Sequence, residues 1–134
     1  MISVENLTKS YGSGPPSVDD VSFTCAPGTV TGFLGPNGAG KSTTLRALVG
    51  LTPPTSGRAT INGVRYADLP NPGRVVGVML DAAAQHPGRS GRETLRLAAT
   101  ILGVRRDRAD AMLEMVGLQG AEKRRVRDYS LGMR

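Results

Sequence analysis

The octapeptide Gly35-Pro36-Asn37-Gly38-Ala39-Gly40-Lys41-Ser42 has the form GxxxxGK[ST], a glycine-rich loop closed by a lysine and a hydroxyl residue. It follows a short apolar run, Val30 to Leu34, and precedes Ser42 to Val49, where Leu45, Leu48 and Val49 fall at helical spacing. Strand, loop and helix in that order are the context such a loop requires. Glycines permit sharp turns that aim successive backbone N–H groups at one point, and a helix start adds its partial positive charge there. The expected product is a nest for phosphate oxygens formed by Gly35, Asn37, Gly38 and Gly40. Lys41, the candidate catalytic residue, would reach the β and γ phosphates of a nucleoside triphosphate. The Ser42 hydroxyl would supply one oxygen to Mg2+, and Thr43 would donate to the α phosphate. A dinucleotide-binding loop is disfavoured, because GxGxxG is not formed.

On either side of the loop the chain alternates between short strands and turns. Ile2 to Leu7 and Val18 to Cys25 alternate as strands, Arg58 to Asn62 is a strand closed by Asn62-Gly63, and Val75 to Leu80 reads as a strand buried on both faces. After Asp81 the pattern turns helical. Ser90 and Glu93 form a capping box ahead of Thr94 to Leu102, with Leu95, Ala98, Ala99 and Leu102 on one stripe and Gly103 ending it. A second helix spans Arg108 to Val116, with Ala109, Met112, Leu113 and Val116 facing the core and Gly117 as its stop. Two parts are therefore expected: a β part with the phosphate loop over residues 1–82, and a small helical part over 83–134.

Composition fits one α/β domain of ordinary size. The 134 residues are 39% hydrophobic and 21% charged, with 4% aromatic and no Trp, so Val, Leu, Ile, Ala and Met must build the core. The single Cys25 excludes an internal disulfide and is expected as a buried small hydrophobe. No segment reaches the roughly eighteen apolar residues needed to cross a bilayer, and the amino terminus lacks the basic and apolar regions of a signal peptide. The formal charge of +6 raises the question of nucleic acid, but the densest run, Lys123 to Arg127, lacks flanking aromatics on which bases could stack. No nucleic-acid partner is expected, and the run reads as a solvated face. His86 has no neighbouring Cys or second His and is no metal-site candidate.

The loop alone leaves GTPase, kinase, motor and transporter ATPase open; a GTPase would also carry NKxD, which is absent. Tyr11, 24 positions before Gly35, stands near a strand end where a ring could stack on a purine. Ser130 lies close to an expected helix start near the carboxyl end. Taken together, TKSYG around Tyr11, GPNGAGKSTTLRALVGLTPPTSG from Gly35 to Gly57, and YSLGMR from Tyr129 to Arg134 resemble the first part of an ABC transporter ATP-binding subunit, over essentially the whole chain. SLGM in place of SGGQ is similar to bacterial importer-like or drug and antibiotic exporter ATPases. The resemblance implies an ABC-type P-loop NTPase fold with an N-terminal antiparallel β part and a helical subdomain. It implies ATP and Mg2+ as ligands, with Tyr11 stacked on adenine. It also implies that Ser130 and Gly132 reach the γ phosphate held by a second ATP-binding subunit in a head-to-tail dimer. Transmembrane permease subunits and a peripheral position on the cytoplasmic face of the membrane follow from the same likeness.

Two departures from the family pattern stand out. Asp81 occupies the place after the central strand where the family usually has a glutamine. A carboxylate there can ligate Mg2+, but cannot donate a hydrogen bond while ionised. Gln85, four positions later, is the weaker candidate for that role. The sequence also ends inside the signature, before the Mg2+-binding aspartate, the adjacent glutamate and the switch histidine of the family. The expectation is thus ATP binding without efficient hydrolysis by this chain alone. An independent nonhydrolytic nucleotide-binding or interaction module, and a decayed fragment, are the alternatives.

Overall fold

The computed structural model describes residues 1–81 and 84–134, which form two compact units, Met1–Pro72 and Gly73–Arg134. The expected boundary between 82 and 83 lies outside the described residues.

The first unit is built on a three-stranded antiparallel sheet in the order β2-β1-β3, from β1 (Ile2–Lys9), β2 (Val18–Cys25) and β3 (Ser56–Ile61). Central β1 pairs Val4 with Phe23 of β2 and with Ala59 of β3. Val4, Leu7, Val18, Ala59 and Ile61 are buried in the core, Ala59 and Ile61 by alternation, and Val4 and Leu7, three apart, through the register shift between them. The β1–β2 register shifts twice, between Val4 and Leu7 and between Leu7 and Lys9. Asn6 and Asp20 there take left-handed backbones, and the Asn6 Nδ2 donates to Asp20 Oδ1 at 2.9 Å. On the other edge Arg58 pairs with Glu5 at 2.7 Å, and that hydrogen bond holds the Glu5 carboxyl below its usual range. Asn62 and Gly63, both at positive φ, make the two-residue turn after β3, closed by paired hydrogen bonds between Ile61 and Val64. Helix α1 (Lys41–Leu48) lies against β1 and β3 and buries Thr44, Ala47 and Leu48.

The second unit pairs α2 (Gly91–Leu102) with α3 (Asp107–Met115). The capping box forms as read from sequence: Ser90 Oγ accepts from the Glu93 N–H, and the Glu93 carboxylate accepts from the Ser90 N–H. Ala99, Ala109, Leu113, Val126 and Tyr129 fill the core. Gly91 admits Tyr129, since a Cβ there would lie 2.2 Å from the tyrosine hydroxyl. Gly50, Gly103 and Gly117, at positive φ, end the three helices in turn, each followed by an N–H that donates five residues back.

Some expectations fail. Val30–Leu34 and Val75–Leu80 are not strands. Val30 and Leu34 are almost fully exposed, as Met79 is largely. A strand exists only through a ladder partner, and β1, β2 and β3 form the one sheet among the described residues. Val116, expected in the α3 core face, is exposed as the helix cap, and Cys25 is half-buried rather than buried.

Candidate functional site

The loop preceding α1 folds around its own backbone. The Ala39 N–H donates to Pro36 O at 3.2 Å, and Gly38 and Gly40 both sit at positive φ. Gly40 is required twice over: its φ is +80°, and a Cβ would stand 2.2 Å from Ser17 O and 2.9 Å from Val18 Cγ2. The loop is thereby pressed against the start of β2. Thr44, buried within α1, ties the other side, its hydroxyl donating to Gly40 O at 3.0 Å. Gly40 is the N-cap of α1 and supplies no side-chain cap, so the first turn keeps N–H groups for an outside acceptor.

Asn37 to Thr43, together with Ser17, line a cavity of about 370 Å3 at that helix start. The Lys41 ammonium is bound by two carbonyls of its own loop, Gly35 O at 2.6 Å and Pro36 O at 2.7 Å. Both acceptors are neutral, so they orient the cation without cancelling its charge. An unscreened positive charge, an uncapped helix start and an exposed Ser42 hydroxyl converge on one hollow, an arrangement suited to a polyphosphate. A larger hollow in the same unit, about 480 Å3, opens beside Arg58 and Arg65, but these guanidinia are already paired with Glu5 and Asp68. The loop cavity is therefore the candidate.

Ser17 is the lining residue that the sequence did not mark. Its N–H donates to Lys9 O at 2.8 Å, closing the β1–β2 connection on which Tyr11 also sits. Only the packing of Gly40 against Ser17 reveals the contact, because nothing in the sequence links two positions so far apart. Tyr11 is 57% exposed, and the Lys9 ammonium lies 4.9 Å from its ring centroid.

The remaining candidates belong to the second unit. Asp81 is exposed, as are Ser130 and Gly132; Ser130 precedes a single 3-10 turn, Leu131–Met133, and makes no side-chain cap bond. Gln85 lines an apolar hollow with Leu95 and Met112, and His86 Nδ1 accepts from the Gly88 N–H. Among the described residues no group of three or more His, Cys, Asp or Glu could hold a metal ion. No helix among them is long and apolar enough to cross a membrane.

A glycine loop wrapped on an uncapped helix, beside an antiparallel sheet and followed by a helical unit, defines the P-loop NTPase fold of ABC ATPases. The chain belongs to the ABC transporter family, whose profile matches residues 18–134. The bacitracin transport ATP-binding protein of Bacillus licheniformis is 40% identical over 136 residues, covering 100% of this chain and 44% of that protein. The Fe(3+) ions import ATP-binding protein of Brucella abortus is 36% identical over 135 residues, covering 98% and 38% respectively. A solved structure of an ATP-binding subunit of an ABC transporter matches with a TM-score of 0.78 at 29% identity, over 99% of this chain and 57% of that one. The chain thus spans less than half the length of these two curated relatives. One relative is named for an antibiotic and the other for import of an ion, so ATP binding is what their names share.

Proposed function

We propose that this chain supplies the nucleotide grip of an ABC transporter's ATP-binding subunit, in which binding and hydrolysis of ATP are coupled to transport. The observation that carries the reading is the cavity at the start of α1, where Lys41 Nζ, the uncapped first turn and the Ser42 hydroxyl meet. The loop N–H groups from Gly38 to Thr43 hold phosphate oxygens by hydrogen bonds. Lys41 exchanges neutral carbonyl acceptors for phosphate oxygens, which a cation binds more strongly. Tyr11 offers a ring face to adenine, on the same connection whose far end, Ser17, lines the cavity. The donor set also suits Mg2+: a hard cation carried on a triphosphate needs only one or two protein oxygens, and the Ser42 hydroxyl in the cavity would supply one, while Asp81 offers a carboxylate of matching chemistry in the second unit. When bound, the ion offsets the charge of the phosphate chain.

The helical part carries Ser130 and Gly132 toward nucleotide held by a second ATP-binding subunit in a head-to-tail dimer. Permease subunits are the membrane partners, and the protein works peripherally at the cytoplasmic face. Export of a drug or antibiotic is the finer reading, supported by SLGM at Ser130 to Met133 and by the likeness to the bacitracin transport protein. Displacement of a fluorescent ATP analogue tests the grip: ATP and inorganic tripolyphosphate should both compete, whereas adenosine should compete weakly. Equal competition by adenosine and ATP would refute a phosphate-centred site.

A further inference from the structure

The second unit holds a concentration of positive charge larger than the Lys123–Arg127 run suggests. Residues 87–92 lie antiparallel to 122–127: the Val126 N–H donates to Arg89 O at 2.8 Å, the Arg127 N–H to Pro87 O at 3.1 Å, and the Gly91 N–H to Arg124 O at 3.3 Å. This pairing sets Arg89 alongside a run more than thirty positions later, and Arg134 joins through a bond from its Nη2 to Arg127 O at 3.3 Å. Arg89, Lys123, Arg124, Arg125, Arg127 and Arg134 are all exposed.

The acceptors of these guanidinia set them apart from other arginines of the unit. Arg92 and Arg96 pair with Asp110, and Arg105 with Asp107. In the ribbon, by contrast, Arg125 donates to Gly88 O at 2.8 Å, and Arg124 to Asp128 O. A backbone carbonyl fixes a guanidinium's direction and leaves its charge intact. Three carboxylates stand close: Asp128, at 3.7 Å from Arg127; Glu93, already accepting the Ser90 N–H in the capping box; and Glu122, next to Lys123 and 3.5 Å from Arg92. Six cations therefore face three acids, two of them already engaged.

We infer that this ribbon docks an acidic, carboxylate-bearing segment of a protein partner. Five of its six cations are arginines, whose planar forks match carboxylates bidentately. Val126 within the run and Tyr129 beyond it are buried, and Leu131, exposed ahead of Arg134, is a single apolar side chain rather than the broad apolar face of a bilayer-inserting surface. The same burial of Tyr129 removes the aromatic on which a base would stack. The inference does not depend on nucleotide binding.

Fluorescence anisotropy of a labelled peptide of alternating glutamate and alanine pairs, titrated with the full chain, tests it. Arg89→Gln/Lys123→Gln removes two charges whose side chains make no hydrogen bond among the described residues, and Arg125→Gln is the second variant. Arg106→Gln/Arg108→Gln removes equal charge elsewhere in the unit. Each ribbon variant should weaken binding about fivefold or more, and the control less than about twofold. Equal loss in the control would overturn the proposal by showing unspecific attraction. So would phosphatidylglycerol vesicles or single-stranded RNA binding more tightly than the peptide through the ribbon residues.

Discussion

Replacing Gly40 and Gly38 separately by alanine isolates how the phosphate loop is held. Both have positive φ, so both variants pay the left-handed penalty of an L-residue, about 1–2 kcal/mol. Both recover about 0.4–1 kcal/mol from a less flexible unfolded chain. They differ in surroundings: the Gly38 Cβ would meet nothing within 4 Å, whereas the Gly40 Cβ would fall 2.2 Å from Ser17 O, a backbone atom that cannot swing away. Relieving that collision adds about 1–3 kcal/mol, as for other overpacked sites. Gly38→Ala should therefore cost about 0–1.6 kcal/mol, and Gly40→Ala about 1–4.6 kcal/mol, larger by the ~1–3 kcal/mol of the collision. Urea denaturation followed by far-UV circular dichroism measures both, with hydrogen exchange of the β1 and β2 amides locating the loss in the first unit. Equal destabilisation by the two substitutions would refute the packing of the loop against β2.

Tyr11→Ala should weaken ATP binding by about 1–3 kcal/mol, the worth of one base–aromatic stack, and leave tripolyphosphate affinity unchanged; competition titrations separate the two. Gly91→Ala should cost about 2–4 kcal/mol, by pushing Tyr129 off its 2.8 Å bond to Ala121 O. In urea unfolding it should be less than additive with Tyr129→Phe, which removes the colliding hydroxyl. Glu93 is held below the usual glutamate range, first by its hydrogen bond from the Ser90 backbone. A carboxyl with a lowered folded-state pKa contributes stability above its unfolded value and loses it as pH falls through the folded one. Amide exchange at the start of α2 should thus accelerate as the medium is acidified through that window, and Glu93→Gln, which keeps the cap geometry but cannot titrate, should flatten the dependence.

What the sequence discloses is largely local. The glycine loop, the Ser90–Glu93 box and the glycines after each helix act within a few residues, where side-chain chemistry and backbone freedom suffice. Long-range requirements are hidden. Val30–Leu34 has the composition of a buried strand, but a strand needs a partner that composition cannot guarantee. The need for glycine at position 40 comes from Ser17 across the fold, and Ser17 itself carries no signature. The basic run at Lys123 is visible, yet the addition of Arg89 depends on the backbone pairing between the two segments. In the candidate site, the identity of the loop is legible, and the seat that holds it is not.

Isothermal titration of the chain with Mg-ATP, beside Lys41→Ala, tests the central claim most directly. Loss of a charged hydrogen-bonding group, worth about 1.5–3 kcal/mol, should weaken binding by tenfold or more while the fold, followed by circular dichroism, persists. Heat of binding that is absent from the unsubstituted chain, or unchanged by Lys41→Ala, would contradict the assignment of this cavity as the nucleotide grip.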